Sequence, residues 1–478
     1  MMKNPILQRH NLDSMAVALF TMIGGIFSVG KYGFMDDYKI LWQRESGHFD
    51  WSLYLSQGRP LVALFEWLQF GLIGDINSLW IFHALAVIFL GFLAREIYIY
   101  LNNYDERRPI RLLVSVGGIL LTPGLMLTTA WGVLALVPLF MLAVIRACRI
   151  LENPKSSRIS KFAANLTIPL ASLTYQPLVG IVLILPIIGY VLAIVSGKRN
   201  AGSALLQIYK DRFKVILFTG IFTLTYLDIT AQLFPNQQRV KLLGPIGAKI
   251  KFIWHDALPT MFRIGSPSNH VTQLFIIALI LTIWLCIVCA RISNNFIYLL
   301  IIPLGICISL TPSALTAENW ASTRSLFEGE WFVSCVSLIA FGLLVQKIFG
   351  NQDDTFQKLT FGFLLSGIII HSNYLMYFEM AKPQQTELRL AKQAILRLDV
   401  TQPIYTITSV WSESLANWVY ADEFGLPSSC QPWVPIPMSQ LLLNSLHGTR
   451  SKTYQVLMTT NLQTNATNEI SYYKILLH

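Results

Sequence analysis

Apolar positions along this chain do not recur mainly at a period of two or of 3.6; they run on without interruption. Runs long enough, or nearly so, to cross the roughly 30 Å of bilayer hydrocarbon lie near 15–34, 78–100, 110–127, 131–149, 161–174, 177–196, 214–233, 272–290, 296–311, 331–347 and 359–378. The pattern predicts about eleven membrane-crossing helices. Within 161–196 the segment "LTYQPLVG" interrupts the run. Proline lacks the backbone donor and disfavours helix in the residue before it, so two unequal helices meet there. Between the first two runs "RPLVALFEWLQFGLIG" (59–74) is apolar but too short to span and is broken by Glu66. It predicts a helix lying along the membrane surface. After residue 381 the character changes. "KPQQTELRLAKQAILRL" has the spacing of an amphipathic helix, and "PIYTITSV" and "YQVLMTT" are short strand-prone runs between turn-formers. The chain therefore divides into a membrane domain, 1–380, and a smaller α/β domain, 381–478, in an otherwise all-α polytopic protein.

Composition agrees. Only 13% of the 478 residues are charged and 54% are hydrophobic, against roughly 25% charged in soluble domains. A net charge of +10 invites a nucleic-acid reading, but basic residues of membrane proteins collect on cytoplasmic loops, so no nucleic-acid partner is expected. "RACRILENPKSSRISK", "SGKRNAGSALLQIYKDRFK" and "NNYDERRPIR" hold the Lys and Arg clusters and share one side if the N-terminus is cytoplasmic. The first run lacks a small-residue cleavage site and reads as a retained anchor. The loop 35–77 then lies outside the cytoplasm. With an odd number of spans the C-terminal domain lies there too.

That loop opens with "GFMDDYKILWQRESGHFDW" (33–51), dense in ionisable groups at the membrane–water boundary. Asp36 and Asp37 either cap a helix through "YKILWQR" or supply a general base, since burial and a like-charged neighbour keep a carboxylate basic. Arg44, two helical turns after Asp36, Arg59 in the rigid "SQGRP" turn, and Arg324 in "ENWASTRSLFEGE" are candidates to hold a phosphate by bidentate bonds. His48 in the same loop, and Trp131, Tyr175 and Gln176 from two short turns on the same side, are candidate sugar or acceptor contacts, because aromatic faces pack on sugar C–H surfaces. His255 beside Asp256 in "KFIWHDALP" is a further candidate acid–base pair, although adjacent helical residues do not face each other. "CIVC" (286–289) sits mid-helix with no partner pair, so no metal is expected. No Walker loop, GxSxG or HExxH motif occurs.

"MDDYKILWQR", "YLSQGRPLVALFEWLQFGLIGD" and "SLTYQPLVG" together resemble the phage-type, serotype-converting O-antigen glucosyltransferases, members of the GT-C class of multi-pass glycosyltransferases. The likeness is clearest over residues 30–180. It implies a GT-C-like bundle in a bacterial inner membrane with its active site facing the periplasm. The implied donor is undecaprenyl-phosphate-glucose and the implied acceptor a sugar hydroxyl of lipid-linked O-antigen. The family's base falls on Asp36 or Asp37. Met35 and Tyr38 depart from the family's flanking residues, which leaves open which aspartate acts. "TAWG" stands where relatives have "RFD", so a role for Trp131 is not inherited. Chemistry of this kind needs a carboxylate on the acceptor hydroxyl and arginines on the departing phosphate; no metal or other cofactor is expected. Two other classes fit less well. A lipid-linked-sugar flippase would place ionisable groups near the bilayer midplane. A membrane acyltransferase would want a partnered histidine, and His83 and His371, both in apolar runs, show no partner in sequence.

Overall fold

The computed structural model describes residues 5–198, 201–234, 244–266, 272–315, 319, 321–349, 354–396, 404–410, 424–431, 433–447, 455–458 and 471–476. Helices dominate. α1 (Pro5–Gly25) leads through a 3-10 turn into the loop that carries α2 (Asp36–Glu45), α3 (Trp51–Ser56) and α4 (Pro60–Gly71). Next come α5 (Trp80–Leu101), α6 (Arg108–Leu120), α7 (Pro123–Leu127), α8 (Val137–Glu152), α9 (Arg158–Ser172), α10 (Leu178–Val195) and α11 (Ala201–Leu233). α12 (Ile246–Phe252) and α13 (Leu258–Met261) flank a π-helical turn. α14 (Thr272–Ser293), α15 (Ile301–Leu315), α16 (Thr323–Phe349) and α17 (Asp354–Leu375) complete the bundle.

A helix stands at each of the eleven expected places. Among the described residues nine helical segments are long and apolar enough to cross a membrane. α6 (13 residues) and α9 (15 residues) are shorter. α6 is buried almost throughout from Ile110 to Leu120, so protein rather than lipid surrounds it. α10 forms the centre, buried along nearly its whole length and packed by α8, α9, α11, α14, α15 and α16. The bundle's outside is apolar: Phe218, Ile221, Leu224, Ile280, Ile283, Phe363 and Ile370 are all exposed. A continuous exposed apolar surface of this kind belongs in lipid.

The two ends of the bundle differ. At one end lie the ion pairs Arg107–Asp105, Arg108–Asp13, Arg149–Glu96 and Arg212–Glu152, the last also bonded by the Tyr100 and Tyr104 hydroxyls. The other end gathers the loop between α1 and α5 and the N-termini of α8, α10 and α16. α4 is built inside out for water: its polar Glu66 and Gln69 point inward with Ala63 and Phe70, while Leu64, Leu68 and Leu72 stand exposed. Those leucines are four residues apart and share one helical face, as a helix lying against lipid requires.

From α17 the helix does not stop. A π-helical turn (Met376–Ala381) joins it to α18 (Lys382–Leu396), so the expected boundary at 380/381 falls inside a continuous helix. The segment Thr355–Gln393 has 39 residues, about 58 Å at 1.5 Å per residue and roughly twice the hydrocarbon thickness. Asn373 donates to the Ile23 carbonyl (2.8 Å) and Tyr377 packs edge-on against Phe27, which sets residues 373–377 level with the end of α1. α18 projects beyond that level, on the side of the 35–77 loop. There Glu387 accepts from the backbone N–H groups of Ser428 and Ser429 (2.8 Å each), and Gln384 bonds Ser428 and the Leu426 carbonyl. α19 (Pro435–His447) comes directly after this serine segment. β1 (Ile404–Val410), β2 (Gln455–Met458) and β3 (Ser471–Leu476) form a parallel sheet in the order β2-β1-β3. The C-terminal unit is thus α/β, and both strand-prone runs supply strands.

Candidate functional site

The two adjacent aspartates have different surroundings. Asp37 is completely buried. Its Oδ2 accepts from the backbone N–H of Phe34 (2.9 Å) and of Gly132 (3.0 Å), and its Oδ1 from that of Val133 (2.9 Å). It ties the chain just before its own helix to that helix and bolts the loop to the turn before α8. Glycine at 132 permits this, because a Cβ there would stand 2.9 Å from Asp37 Oδ1. Burial pushes the Asp37 carboxyl up to about 7; the three N–H groups oppose that shift and the charge of Asp36 adds to it.

Asp36 is only partly buried. Among the described residues the side chain bonded to it is Trp433, whose indole Nε1–H donates at 2.8 Å. The residue before it, Met35, has φ 41°, a conformation that disfavours any side chain. Its N–H donates to Ser428 Oγ at 2.8 Å. A strained residue held by a distant segment, directly before an accessible carboxylate, is a common mark of a working site.

Across from the pair lies α4. Glu66 is buried beside the Tyr54 hydroxyl, and among the described residues its carboxylate oxygens make no hydrogen bond of good geometry. Burial raises its carboxyl well above the usual range; Asp36 and Asp37 add to this, and the Tyr54 hydroxyl and Arg59 oppose it. Arg59 follows Gly58, which has φ 73° and turns the chain into α4. Arg59 Nε donates to Gln176 Oε1 (3.0 Å), and its guanidinium lies over the Tyr175 ring at 5.2 Å. Gln176 Nε2 donates back to the Gln57 carbonyl (3.0 Å). The Tyr175 hydroxyl donates to the Arg324 carbonyl. The Arg324 guanidinium lies 4.9 Å over the ring of Trp131. Trp131 is buried with its edge contact on Phe34 at 5.0 Å, two residues from the loop's Asp36.

Asp36, Asp37, Arg59, Arg324, Trp131, Tyr175 and Gln176 therefore form one linked cluster at one end of the bundle. Four expected residues lie elsewhere. Arg44 donates to the Trp67 carbonyl (3.1 Å) and stacks on that indole at 4.4 Å, bracing α2 against α4. His48 is exposed in the turn after α2. His255 and Asp256 are exposed on a π-helical turn and show no side-chain bond to the cluster among the described residues. Glu66, Tyr54 and Trp433 are the additions. Glu66 was legible as a charge inside an apolar helix. His83 Nδ1 meets the Gly30 carbonyl while its ring packs on Tyr32 at 4.6 Å, and His371 Nε2 meets the Gly265 carbonyl. Among the described residues no three His, Cys, Asp or Glu side chains are grouped to hold a metal ion.

No protein-family model matches the chain, and no curated protein sequence matches it. Among solved structures, ArnT from Cupriavidus metallidurans bound to undecaprenyl phosphate aligns with it at a TM-score of 0.42 and 14% identity, over 82% of both chains. A likeness at that level gives no residue a role.

Proposed function

We propose that this membrane protein is a GT-C-type glycosyltransferase that moves a sugar from a polyprenyl-phosphate donor to a sugar hydroxyl, with Asp36 as the general base. The observation that carries the reading is the juxtaposition of an accessible carboxylate with two ring-stacked guanidiniums, at the bundle end flanked by a helix with outward leucines. A lipid donor slides in from the bilayer at that level. Asp36 takes the proton of the acceptor hydroxyl as its oxygen attacks the anomeric carbon. The bond from that carbon to the phosphate oxygen breaks on the opposite face, inverting the centre. Negative charge then grows on the phosphate, where Arg59 and Arg324 receive it. Asp37, sealed by three backbone N–H groups, positions the loop.

The motif resemblance supports undecaprenyl-phosphate-glucose as donor, lipid-linked O-antigen as acceptor, the periplasmic face of a bacterial inner membrane as the place, and transfer without a metal. The test incubates purified protein in detergent with polyprenyl-phosphate-linked radiolabelled glucose and lipid-linked O-antigen. Transfer that survives EDTA and is lost in Asp36→Asn but kept in His83→Ala is the expected result. Movement of lipid-linked sugar across vesicles without transfer would replace the reading with a flippase. Labelling of loop cysteines only from the cytoplasmic side would refute the orientation.

A further inference from the structure

Below the aspartate pair, where the far end of α2 meets α18 and α19, the surface opens into a cavity of about 190 Å³. Its polar wall is made by Glu45, Asp75, Asn77, Lys392, Asn444 and Ser445. At roughly 30 Å³ per water that is the space of about six waters, below the 300 Å³ of the smaller drug-sized pockets. It suits one pyranose ring rather than an extended ligand.

The wall chemistry narrows the occupant. Two carboxylates oppose a phosphate or another acidic group. The Lys392 ammonium, which donates to Asn77 Oδ1 at 3.0 Å, opposes a bare metal cation. The many polar atoms are costly to cover with a lipid chain. Carboxylate and amide acceptors beside amide, hydroxyl and ammonium donors match a ring bearing several hydroxyls, each both donor and acceptor. Asp75 spends Oδ1 on capping Ser78 (2.7 Å to N, 2.9 Å to Oγ), while its Oδ2 shows no bond among the described residues. Ile76 and Leu441 add an apolar side for the C–H face of the ring.

Position supplies the second argument. Glu45 and Asp36 are the two ends of α2. Nine residues at 1.5 Å put the cavity about 13 Å from the proposed base, a distance that a few linked sugars bridge. α19 lines the cavity and also continues from Trp433, the residue bonded to Asp36. We infer that this cavity is an acceptor subsite, holding one neutral sugar ring of the acceptor glycan while a neighbouring ring offers its hydroxyl to Asp36. The inference rests on the glycosyltransferase reading and names where its acceptor is gripped.

The test uses the full-length protein in nanodiscs. The probe is a set of oligosaccharides released by mild acid from the host cell's own O-polysaccharide, and inorganic phosphate is the control. Ser445→Trp plugs the rim at an exposed residue, and Lys392→Met removes a donor from the wall. Each is expected to weaken oligosaccharide binding at least about tenfold, the worth of one charge-assisted hydrogen bond, and to raise the acceptor KM with the donor KM unchanged. Phosphate is expected not to bind there. Wild-type affinity in both pocket variants, or no oligosaccharide binding to the wild type, would overturn the subsite. Transfer with an unchanged acceptor KM in both variants removes the subsite and leaves the enzyme reading intact. Weakened binding in the variants with no transfer by the wild type removes the enzyme reading and leaves the subsite.

Discussion

Replacing each aspartate of the pair separates a chemical role from a structural one. Asp36→Asn keeps a carbonyl oxygen for the Trp433 N–H at a partly exposed site, so its stability cost is expected within about 0.5 kcal/mol. It removes the proposed base, worth about 10²- to 10⁴-fold in rate. Asp37→Ala instead strips three backbone N–H groups, of Phe34, Gly132 and Val133, of their acceptor. Leaving a buried donor unsatisfied costs about 1–3 kcal/mol, and partial relaxation brings the sum to about 3–5 kcal/mol. At about 2–4 °C per kcal/mol for a larger domain, the melting temperature should fall by roughly 6–20 °C. The assay pairs thermal unfolding in detergent at pH 6, below the titration of Asp37, with sugar transfer on the same samples. Asp37→Ala melting like the wild type while losing transfer, with Asp36→Asn still transferring, would reverse the two roles.

Trp433→Phe deletes the N–H donated to Asp36 and trims the ring at an exposed site, and is expected to slow transfer about tenfold with unchanged melting; an unaltered rate would show that the C-terminal segment does not tune the base. Arg59→Lys keeps the charge but loses the planar group that bonds Gln176 and stacks on Tyr175. It should raise the donor KM about tenfold, measured by varying the polyprenyl-phosphate sugar. The raised Asp37 carboxyl, from an ordinary 3.8 to about 7, means the unfolded chain releases that proton first as pH rises. Its contribution to stability is therefore present below pH 4 and lost by pH 7, up to about 4 kcal/mol over about three pH units at 1.36 kcal/mol each. Melting should fall between about pH 4 and 7 and level off above that, and Asp37→Asn should flatten that slope. Burial raises the Glu66 carboxyl well above its usual range, and Glu66→Gln is expected to cost no more than about 1 kcal/mol in thermal unfolding; a larger drop would show that a neutral amide does not replace it.

The helices were legible because a bilayer demands long apolar runs, and Glu66 already broke the run over 59–74 that forms the surface helix α4. The roles of the two aspartates were not. They depend on the turn at 131–133, 95 residues from Asp37, and on Trp433, 397 residues from Asp36, and no local spacing encodes either contact. Arg44 shows the same limit. Eight residues after Asp36 it shares a helical face, yet the Trp67 indole lies closer and takes its guanidinium. Composition shifts at 381 and so suggests a domain boundary there, but a helix continues across a change of solvent as long as its backbone bonds are satisfied within it.

That unbroken helix from Asp354 to Leu396 makes lipid thickness a variable of the proposed active end. Its lower half answers to the acyl chains by tilting when they thin or thicken. Its upper half carries Gln384 and Glu387, which grip Ser428, the residue that holds Met35. A few degrees of lean at the base are multiplied along the shaft into a sideways displacement at the tip, so bilayers of shorter or longer chains should retune the reaction without touching a residue.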